Sequence, residues 1–355
     1  MVNGCPAQMR ADTDGAPIDA CAYSGANVLV TGADGFIGSH LTETLVRRGA
    51  NVTALALYNS FDTFGWLDEL SDNVRDRIKA VRGDLRDAAF TRGIVAQQDI
   101  VFHLAALIAI PHSYIATQSY VETNVIGSLN VFEAAREHDV RRVVHTSTSE
   151  VYGTAITMPI PETHPLQGQS PYSASKIGAD MMAEAYARSF NLPVAIIRPF
   201  NTFGPRQSER AIIPTVLRQA LDPHVRAIRV GDTAPVRDFT YVDDTVNAFL
   251  TIGSAPTIEY GRPYNAGSGT AATIAQLIGT TLELLDCQKP VEHDPARKRP
   301  AQSEVRALLA DSTRFASATG WRPRVALRDG LLRTINWWRD RLGRGQVRQD
   351  ATYAT

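Results

Sequence analysis

The chain has 355 residues, 44% of them hydrophobic, and a formal net charge of -1 at pH 7. This length suffices for one large α/β unit or two modest domains with a stable core. The near-zero charge argues against a nucleic-acid or membrane-surface role, because both require an extended basic surface. The three cysteines, Cys5, Cys21 and Cys287, lack metal-ligand spacing, so we predict no metal site and a reduced, cytoplasmic environment.

The two ends of the chain are polar and irregular. The first segment, residues 1–25, mixes Gly, Pro, Asp and Ala without an apolar stretch of signal-peptide length. No later apolar run approaches the length of a membrane span. We therefore predict a flexible leader over residues 1–25, a flexible tail over residues 341–355 and no membrane partner.

The first predicted strand is followed by a glycine-rich turn and then by helical apolar spacing. In this G-x-x-G-x-x-G pattern, Gly32 permits the tight turn, Gly35 lets the backbone approach a pyrophosphate, and Gly38 allows close packing of helix on strand. The following helix, which includes Phe36 and Ile37, would present backbone N–H donors to the anion. The pattern predicts a dinucleotide site.

The second predicted strand, residues 49–55, ends where a dinucleotide-binding fold usually places an acid for the adenosine ribose. Here the chain continues through Asn59 and Ser60, with neither an acid to favour NAD nor an arginine to favour NADP. Either side chain could hydrogen-bond the ribose. The choice between NAD and NADP stays open at this point.

The third and fourth predicted strands contribute to the same site. Asp84 and Leu85 follow the third strand on the adenine side, where Asp84 would accept a hydrogen bond from the exocyclic amine or act as a helix cap. The fourth strand ends at Leu104, Ala105 and Ala106, where the backbone must pass close to the cofactor. We include all five residues among the predicted cofactor contacts.

Two polar residues near the fourth strand are interpreted as structural. His103 lies within an apolar strand and is predicted to be a core histidine, and Asn124 is predicted to be a buried, hydrogen-bonded group on an apolar helix.

His112 and Tyr114 lie in the loop that leaves the carboxyl edge of the sheet, where ligands bind in open α/β folds. We predict that these two residues contact the substrate.

A hydroxyl-rich strand end and a helical Tyr–Lys pair are the candidate catalytic groups. Thr148, Ser149 and Glu150 follow the fifth strand and are predicted to point into the crevice for the nicotinamide. Tyr172 and Lys176 are one helical turn apart, so the ammonium group could sit beside the phenol and favour its ionised form. The pair therefore predicts a tyrosine base near neutral pH, and we include Tyr172 and Lys176 among the predicted cofactor contacts.

A stretch rich in Pro and Gly follows the sixth strand and predicts that the chain leaves the sheet for a second, smaller region. Arginines recur in the loops of this region, and arginine forks are suited to clamping a diphosphate. The predicted substrate contacts in this part of the chain are Asn201, Arg206, Arg237, Asn265 and Arg299.

The order of these elements predicts an α/β fold: a Rossmann-type doubly wound parallel sheet with a smaller C-terminal α/β substrate domain. We assign residues 26–203 and 236–262 to the cofactor-binding domain. Residues 204–235 and 263–340 are assigned to the substrate-binding domain.

Taken together, the motifs resemble the extended short-chain dehydrogenase/reductases that act on nucleotide sugars, over roughly residues 27–338. Within that family the chain looks most like the 4,6-dehydratases related to GDP-mannose dehydratase and to the N-acetylhexosamine dehydratases. The resemblance implies a nucleotide-diphosphate sugar as substrate and a tightly bound, recycled NAD or NADP. It rests on the three glycines, Thr148-Ser149-Glu150, Tyr172 with Lys176, Arg198-Pro199-Phe200-Asn201, Arg237-Asp238-Phe239 and Asn265.

The resemblance also implies a reaction sequence. Tyr172, with its pKa lowered by Lys176 and by the nicotinamide charge, would take the proton of the sugar C4 hydroxyl while the C4 hydride passes to the cofactor. Glu150 would then remove the C5 proton, the C6 hydroxyl would leave as water, and the hydride would return to C6. Thr148 would orient the C4 oxygen.

The chain departs from the glucose-type dehydratases at Ser149, where those enzymes carry an aspartic acid that protonates the departing hydroxyl. Either Glu150 performs both proton transfers or a water relays one of them. The alternatives are a nucleotide-sugar 4-epimerase, a uronate decarboxylase or a cofactor-binding sensor that has lost the chemistry. Glu150 argues against an epimerase, and the intact pair of Tyr172 and Lys176 argues against a sensor.

The helices that begin near Tyr120 and Pro171 have apolar faces. The resemblance implies that they pair with their counterparts in a second copy, which gives a homodimer through a four-helix bundle.

Overall fold

The computed structural model describes residues 21–297, 300 and 302–347 of the chain. The strands are β1 Asn27–Thr31, β2 Asn51–Leu57, β3 Ile78–Gly83, β4 Ile100–His103, β5 Arg142–Thr146, β6 Val194–Pro199, β7 Asn201–Phe203, β8 Ile228–Val230, β9 Val236–Tyr241, β10 Pro263–Ala266, β11 Ala271–Thr273 and β12 Val291–His293. The α-helices are α1 Phe36–Arg47, α2 Asp72–Arg75, α3 Ala88–Val95, α4 Ile110–Ser113, α5 Thr117–Tyr120, α6 Gly127–Glu137, α7 Pro171–Phe190, α8 Ile212–Leu221, α9 Val242–Ser254, α10 Ile274–Leu285, α11 Thr313–Thr319 and α12 Leu327–Gly343. A π-helical turn, Val121–Ile126, joins α5 to α6, and the 3-10 turns are Gly65–Glu69, Ser149–Tyr152 and Pro295–Arg297.

Seven parallel strands form the central sheet in the order β10-β6-β5-β4-β1-β2-β3. Its middle strands are apolar runs buried on both faces, as parallel sheets covered by helices require. Helices α1 and α9 pack on one face, while α3, α6 and α7 pack on the other. The predicted doubly wound parallel sheet is therefore confirmed.

The strand order reverses next to β1, because β2 lies on one side of it and β4 on the other. Ligands in open α/β folds bind at this reversal, beyond the carboxyl ends of the strands. The fold thus brings the glycine turn after β1 and the polar strand end after β5 to one edge of the sheet.

A smaller region stands beyond that edge. It contains a three-stranded sheet in the order β11-β9-β7 and a two-stranded sheet of β12 and β8. One predicted domain boundary differs from this arrangement: β10, assigned to the substrate-binding part, pairs with β6 in the central sheet, whereas β9 lies in the small sheet. The four-residue strand β10 is too short to show from sequence which sheet it joins.

Both predicted chain ends also differ from the structure. Tyr23 lies inside the predicted leader but is fully buried, packs against Phe102 and donates a hydrogen bond to the carbonyl of Leu250. At the other end, α12 continues to Gly343, and the Arg341 guanidinium lies 4.9 Å from the ring of Trp66. Residues 1–20 and 348–355 lie outside the described part of the chain.

Within the described residues, no helix has the length and apolar character needed to cross a membrane.

Candidate active site

The glycine turn connects β1 to α1 with almost no spare volume. Gly32 has a φ of +68°, and a Cβ there would lie 2.8 Å from the backbone nitrogen of Ala105. A Cβ on Gly38 would lie 2.1 Å from the carbonyl oxygen of Gly32. A side chain at Gly32 or Gly38 would therefore collide with backbone, and Gly35 is the exposed glycine of the three, an arrangement compatible with a pyrophosphate cradle.

The N-terminus of α1 is available to an anion. Gly35 is its N-cap residue and supplies no side-chain cap, and the first turn of the helix contains no acidic residue. The first backbone N–H groups of a helix lack intrahelical partners and carry its positive partial charge. The N–H groups around Phe36 and Ile37 are thus placed as a phosphate-binding site requires.

The loop after β4 packs against the glycine turn. The backbone nitrogens of Leu104 and Ala105 each donate to the Thr31 hydroxyl at 3.1 Å, which holds the chain against the glycine turn. Ala106 continues the same segment and is half-buried. His103 is a core histidine, as predicted, with its ring nitrogens 2.9 Å from the hydroxyls of Thr31 and Ser128.

The predicted contacts at the adenosine end are occupied by the protein's own groups. The Asn59 amide nitrogen donates to the carbonyl of Thr63 at 2.9 Å, and its amide oxygen accepts from the backbone nitrogen of Phe61 at 3.1 Å. The Asp84 carboxylate accepts two hydrogen bonds from Arg86 Nε, at 2.9 and 3.0 Å. The Asn59 side chain thus closes a turn of its own loop, and the Asp84 carboxylate is paired with the Arg86 guanidinium.

The other two predictions at that end differ in burial. Ser60 is exposed, whereas Leu85 is buried beneath α6 and packs in the core on that face of the sheet. The backbone carbonyl of Leu85 accepts a hydrogen bond from the side chain of Asn130 at 2.8 Å.

The candidate catalytic residues converge at the ends of β5 and α7. Thr148 caps the short turn Ser149–Tyr152 by accepting from the backbone nitrogen of Glu150 at 3.2 Å. Its side chain also hydrogen-bonds the Tyr172 hydroxyl, and the Glu150 carboxylate is close enough to act electrostatically on Tyr172. The turn therefore fixes the side chains of residues 148, 150 and 172 in one place.

Helix α7, which carries Tyr172 and Lys176, begins with a strong N-terminal signal. Ser170 caps the helix in a reciprocal capping box with Ser173, and Pro171 occupies the first helical position. Asn124 donates to the Ser175 hydroxyl at 2.9 Å. Its amide also accepts from the backbone nitrogen of Leu107 and donates to the carbonyl of Leu107, which confirms its predicted structural role. The capping box and Asn124 together fix α7 against the loop after β4.

The electrostatics of the pair differ from the prediction. Burial raises the pKa of Tyr172 well above its usual value, the hydrogen bond from Thr148 opposes this, and the charge of Glu150 adds to it. Burial also lowers the pKa of Lys176 to about 8, although Asp180 acts in the opposite direction. The helical spacing correctly places the two side chains on one face, but the dominant influence on Tyr172 is desolvation.

A buried ionic network lies directly beneath Lys176, one helical turn further along α7. The Asp180 carboxylate accepts from the Ser147 hydroxyl at 2.7 Å and from Arg198 Nη2 at 2.9 Å, and it lies 3.2 Å from His145 Nε2. Both Asp180 and Arg198 are almost completely buried. Burial alone would raise the pKa of Asp180, but Arg198 and these hydrogen bonds outweigh it and lower the pKa to about 2.

The predicted substrate contacts His112 and Tyr114 lie in the loop after β4, and His112 is linked to Tyr172 through the ring of Tyr120. The His112 ring packs 6.1 Å from that of Tyr120, which in turn packs edge-on against Tyr172. The Tyr114 hydroxyl hydrogen-bonds Ser303 in the C-terminal region. Tyr114 is thus an anchor between the β4 loop and the smaller region.

Two other predicted contacts remain near the crevice. Asn201 begins β7, and its amide oxygen is buried without a hydrogen-bond partner within the described structure. Arg237 is buried in β9 and pairs with Glu304 at 3.3 Å.

The structure contradicts one predicted substrate contact, Asn265, and leaves that of Arg206 untested. Asn265 is fully buried: it accepts from the Tyr152 hydroxyl at 2.6 Å and donates to the carbonyl of Ile160 at 2.9 Å, so no group is left for a sugar. Arg206 pairs with Glu43 of α1 at 2.7 Å. Because Glu43 is distant in sequence, no local pattern indicated this partner. Arg299 lies outside the described residues.

Sequence reasoning missed three residues near the site. Asp180 is four positions after Lys176, so its helical spacing could have revealed it. Tyr120 supports Tyr172 through a ring contact, and the charge of Arg210 acts on the Tyr120 hydroxyl. The folding of separate loops brings these groups together, and no sequence spacing reports that.

Within the described residues, no cluster of His, Cys, Asp or Glu could hold a metal ion.

Comparison with known proteins places this geometry in a family. The family model described as GDP-mannose 4,6 dehydratase matches residues 29–334. The chain belongs to this GDP-mannose 4,6-dehydratase family. The match spans both the glycine turn and the crevice, so the resemblance inferred from the motifs is confirmed.

Relatives in the GDP-mannose 4,6-dehydratase family include dehydratases and epimerases. A dTDP-glucose 4,6-dehydratase of Streptomyces griseus is 37% identical over 319 residues, which cover 88% of this chain and 94% of that protein. A UDP-glucose 4-epimerase of Mycolicibacterium smegmatis is 33% identical over 319 residues, covering 88% and 98%. The crystal structure of the dTDP-glucose 4,6-dehydratase DesIV from Streptomyces venezuelae, with NAD and TYD bound, has a TM-score of 0.79 and 31% identity, covering 89% and 98%.

Proposed function

We propose that the chain is an NAD-dependent nucleotide-sugar 4,6-dehydratase that converts an NDP-hexose or NDP-N-acetylhexosamine to its 4-keto-6-deoxy product. The observation that carries the proposal is the convergence of Thr148, Glu150 and Tyr172 at the edge of the sheet that also carries the glycine turn. A hydroxyl, a carboxylate and a phenol at one point are the groups that proton removal at C4 and C5 of a hexose requires. The dehydratase relatives support the same assignment.

The residues of the glycine turn fit a dinucleotide. A Cβ at Gly32 or Gly38 would collide with backbone, and the uncapped N-terminus of α1 leaves N–H donors for a pyrophosphate. The DesIV structure, which contains NAD, favours NAD over NADP. NAD, when bound, supplies the acceptor for the C4 hydride and returns that hydride to C6.

Tyr172 and Thr148 act at the C4 oxygen. Tyr172 takes the proton of the C4 hydroxyl, and the hydrogen bond from Thr148 stabilises the phenolate that this requires. The cationic form of Lys176, on the same face of α7, adds a positive charge nearby. Its pKa of about 8 keeps much of it protonated at neutral pH.

Glu150 acts at C5 and C6. Its carboxylate removes the C5 proton, which the 4-keto group has made acidic, and then delivers that proton to the C6 hydroxyl as it leaves as water. Ser149 is buried and contributes no acidic group, so Glu150 performs both transfers in this proposal. In this proposal one glutamate does the work that an aspartic acid and a glutamate share in the glucose-type enzymes.

Replacing Glu150 with glutamine should lower the rate of dehydration by about 10²-fold, because glutamine can neither accept nor deliver a proton. Two measurements report the loss of activity: the absorbance in alkali of the 4-keto product, and the incorporation of deuterium from D2O at C5. The control is Glu137→Gln, since Glu137 forms an exposed ion pair with Arg92 at 2.7 Å. Undiminished C5 exchange in the Glu150 variant would remove Glu150 from this role.

Incubation with a panel of nucleotide sugars tests the reaction class. A 4-keto-6-deoxy product supports the dehydratase, and CO2 release from an NDP-uronate would indicate a decarboxylase. The 4-epimerase relative makes epimerisation the second candidate. A C4-inverted hexose as sole product would overturn the proposal.

The proposal includes a homodimer formed through α7 and the helical segment from α5 to α6. Four large apolar side chains on these helices are exposed in the single chain: Val121, Ile126, Met181 and Phe190. A second copy packed in a four-helix bundle would cover them. Light scattering of the purified chain should give twice the 38.7 kDa mass of one copy, and a monomer would refute the dimer.

A further inference from the structure

An arginine that the sequence analysis left unassigned lies at the adenosine end of the glycine cradle. Arg82 is in β3, level with Ala56 near the end of β2. Its guanidinium carbon lies 3.9 Å from the centroid of the Phe64 ring, and Nη1 lies 2.7 Å from Asp62 Oδ1. The group is oriented by a ring on one face and a carboxylate at one edge.

The loop that carries Phe64 and Asp62 connects this arginine to the glycine turn. The backbone nitrogen of Trp66 donates to the carbonyl of Asp34 at 3.2 Å, and Asp34 lies between Gly32 and Gly35 of the motif. A Cβ on Gly65 would lie 2.8 Å from the same carbonyl oxygen. The loop therefore bridges the pyrophosphate cradle and the ends of β2 and β3, where a dinucleotide places its adenosine ribose.

The two charged side chains differ in exposure. The Arg82 side chain is only 22% exposed, whereas that of Asp62 is 91% exposed. Asp62 has a φ of +56°, a conformation that Asp and Asn tolerate better than other side chains. Arg82 is thus a fixed cation, and Asp62 is a removable counter-ion.

We propose that Asp62 and Arg82 form a selectivity pair that makes the chain prefer NAD to NADP. This inference rests on the proposed dinucleotide-dependent function. The Asp62 carboxylate neutralises Arg82 and repels the additional phosphate of NADP, while the ribose hydroxyl of NAD meets no such repulsion. Without that carboxylate, the oriented guanidinium fork of Arg82 becomes a receptor for the 2′-phosphate.

The test is the affinity of the full chain, freed of co-purified nucleotide, for NAD and NADP by titration calorimetry. Asp62→Asn removes the charge and keeps a residue that tolerates positive φ. We expect the Kd for NADP to fall at least about 10-fold and the Kd for NAD to change less than about 3-fold, as expected when a charge-assisted fork gains a phosphate. The double variant Asp62→Asn/Arg82→Met should lose this gain.

The matched control is Asp72→Asn, which removes the same charge from an exposed ion pair with Arg75 beyond the loop. It should leave both affinities unchanged. NAD binding to the wild type with an unaltered NAD/NADP ratio in Asp62→Asn would overturn the selectivity pair alone, as would a gain that survives Arg82→Met. Failure of the wild type to bind either dinucleotide would overturn the cofactor assignment and the pair with it.

Discussion

Replacing Tyr172 with phenylalanine should lower product formation by about 10³-fold, because the variant retains the ring but loses the group that takes the C4 hydroxyl proton. The ring packs edge-on against Tyr120, at 6.3 Å between centroids, and that contact is preserved. Only the hydrogen bond to Thr148 is lost, which costs about 1 kcal/mol of stability. Turnover of the preferred nucleotide sugar and thermal unfolding, measured together, separate the two effects.

The control for this substitution lies on the same helix. The Tyr186 hydroxyl hydrogen-bonds Glu133 at the surface of α6, away from the crevice. Tyr186→Phe removes an identical atom from α7 and should leave turnover within about 2-fold, as expected of a group outside the site. If Tyr172→Phe retained more than a tenth of wild-type turnover, Tyr172 would not be the base.

The largest loss of stability should follow replacement of Asp180 with alanine, at about 3–5 kcal/mol, because it leaves the Arg198 charge buried without its partner. The same carboxylate also accepts the Ser147 hydrogen bond and lies against His145. Urea unfolding followed by circular dichroism measures the change. Weakened dinucleotide binding should accompany it, since this network lies beneath Lys176.

A double variant separates loss of the pair from loss of one partner. Asp180→Leu with Arg198→Met replaces two buried charges with apolar groups and should be less destabilised than Asp180→Ala, because the Arg198 charge is no longer left without its partner. An Asp180→Ala variant as stable as the double variant would show that the ion pair is not what the substitution breaks.

The same carboxylate predicts an acid limit of stability. The pKa of Asp180 is about 2 in the folded protein, below the ordinary 3.8 of an aspartate, so its contribution to stability is complete above about pH 5 and is lost as the pH falls through 2. The difference corresponds to about 2 kcal/mol.

Local sequence patterns were sufficient for the parts of the site that lie within one element. The glycine spacing after β1 and the Tyr172–Lys176 spacing in α7 each depend on one turn or one helix, and the structure contains both as predicted. The strands of the central sheet were recognisable because parallel strands covered on both faces are continuous apolar runs.

Features that depend on distant segments were not predictable. Asn265 follows a recognisable motif, but its burial depends on Tyr152 and on the loop at Ile160. The raised pKa of Tyr172 results from desolvation by the whole fold rather than from a neighbour on the same helix. Likewise, no arginine follows β2 in the sequence. The arginine at that place in the fold, Arg82, belongs to the adjacent strand β3, and only the pairing of the two strands brings it there.

The link between the two sheets has a mechanical consequence. Strand β6 ends at Pro199 and β7 begins at Asn201, so the single buried residue Phe200 joins the central sheet to the small one. Its backbone nitrogen is bonded to the carbonyl of Ala266 at 3.0 Å, which ties the joint to β10 as well. A one-residue link with a bonded backbone nitrogen leaves little freedom for a hinge motion. We therefore expect this short, hydrogen-bonded link to hold the two sheets in one relative orientation.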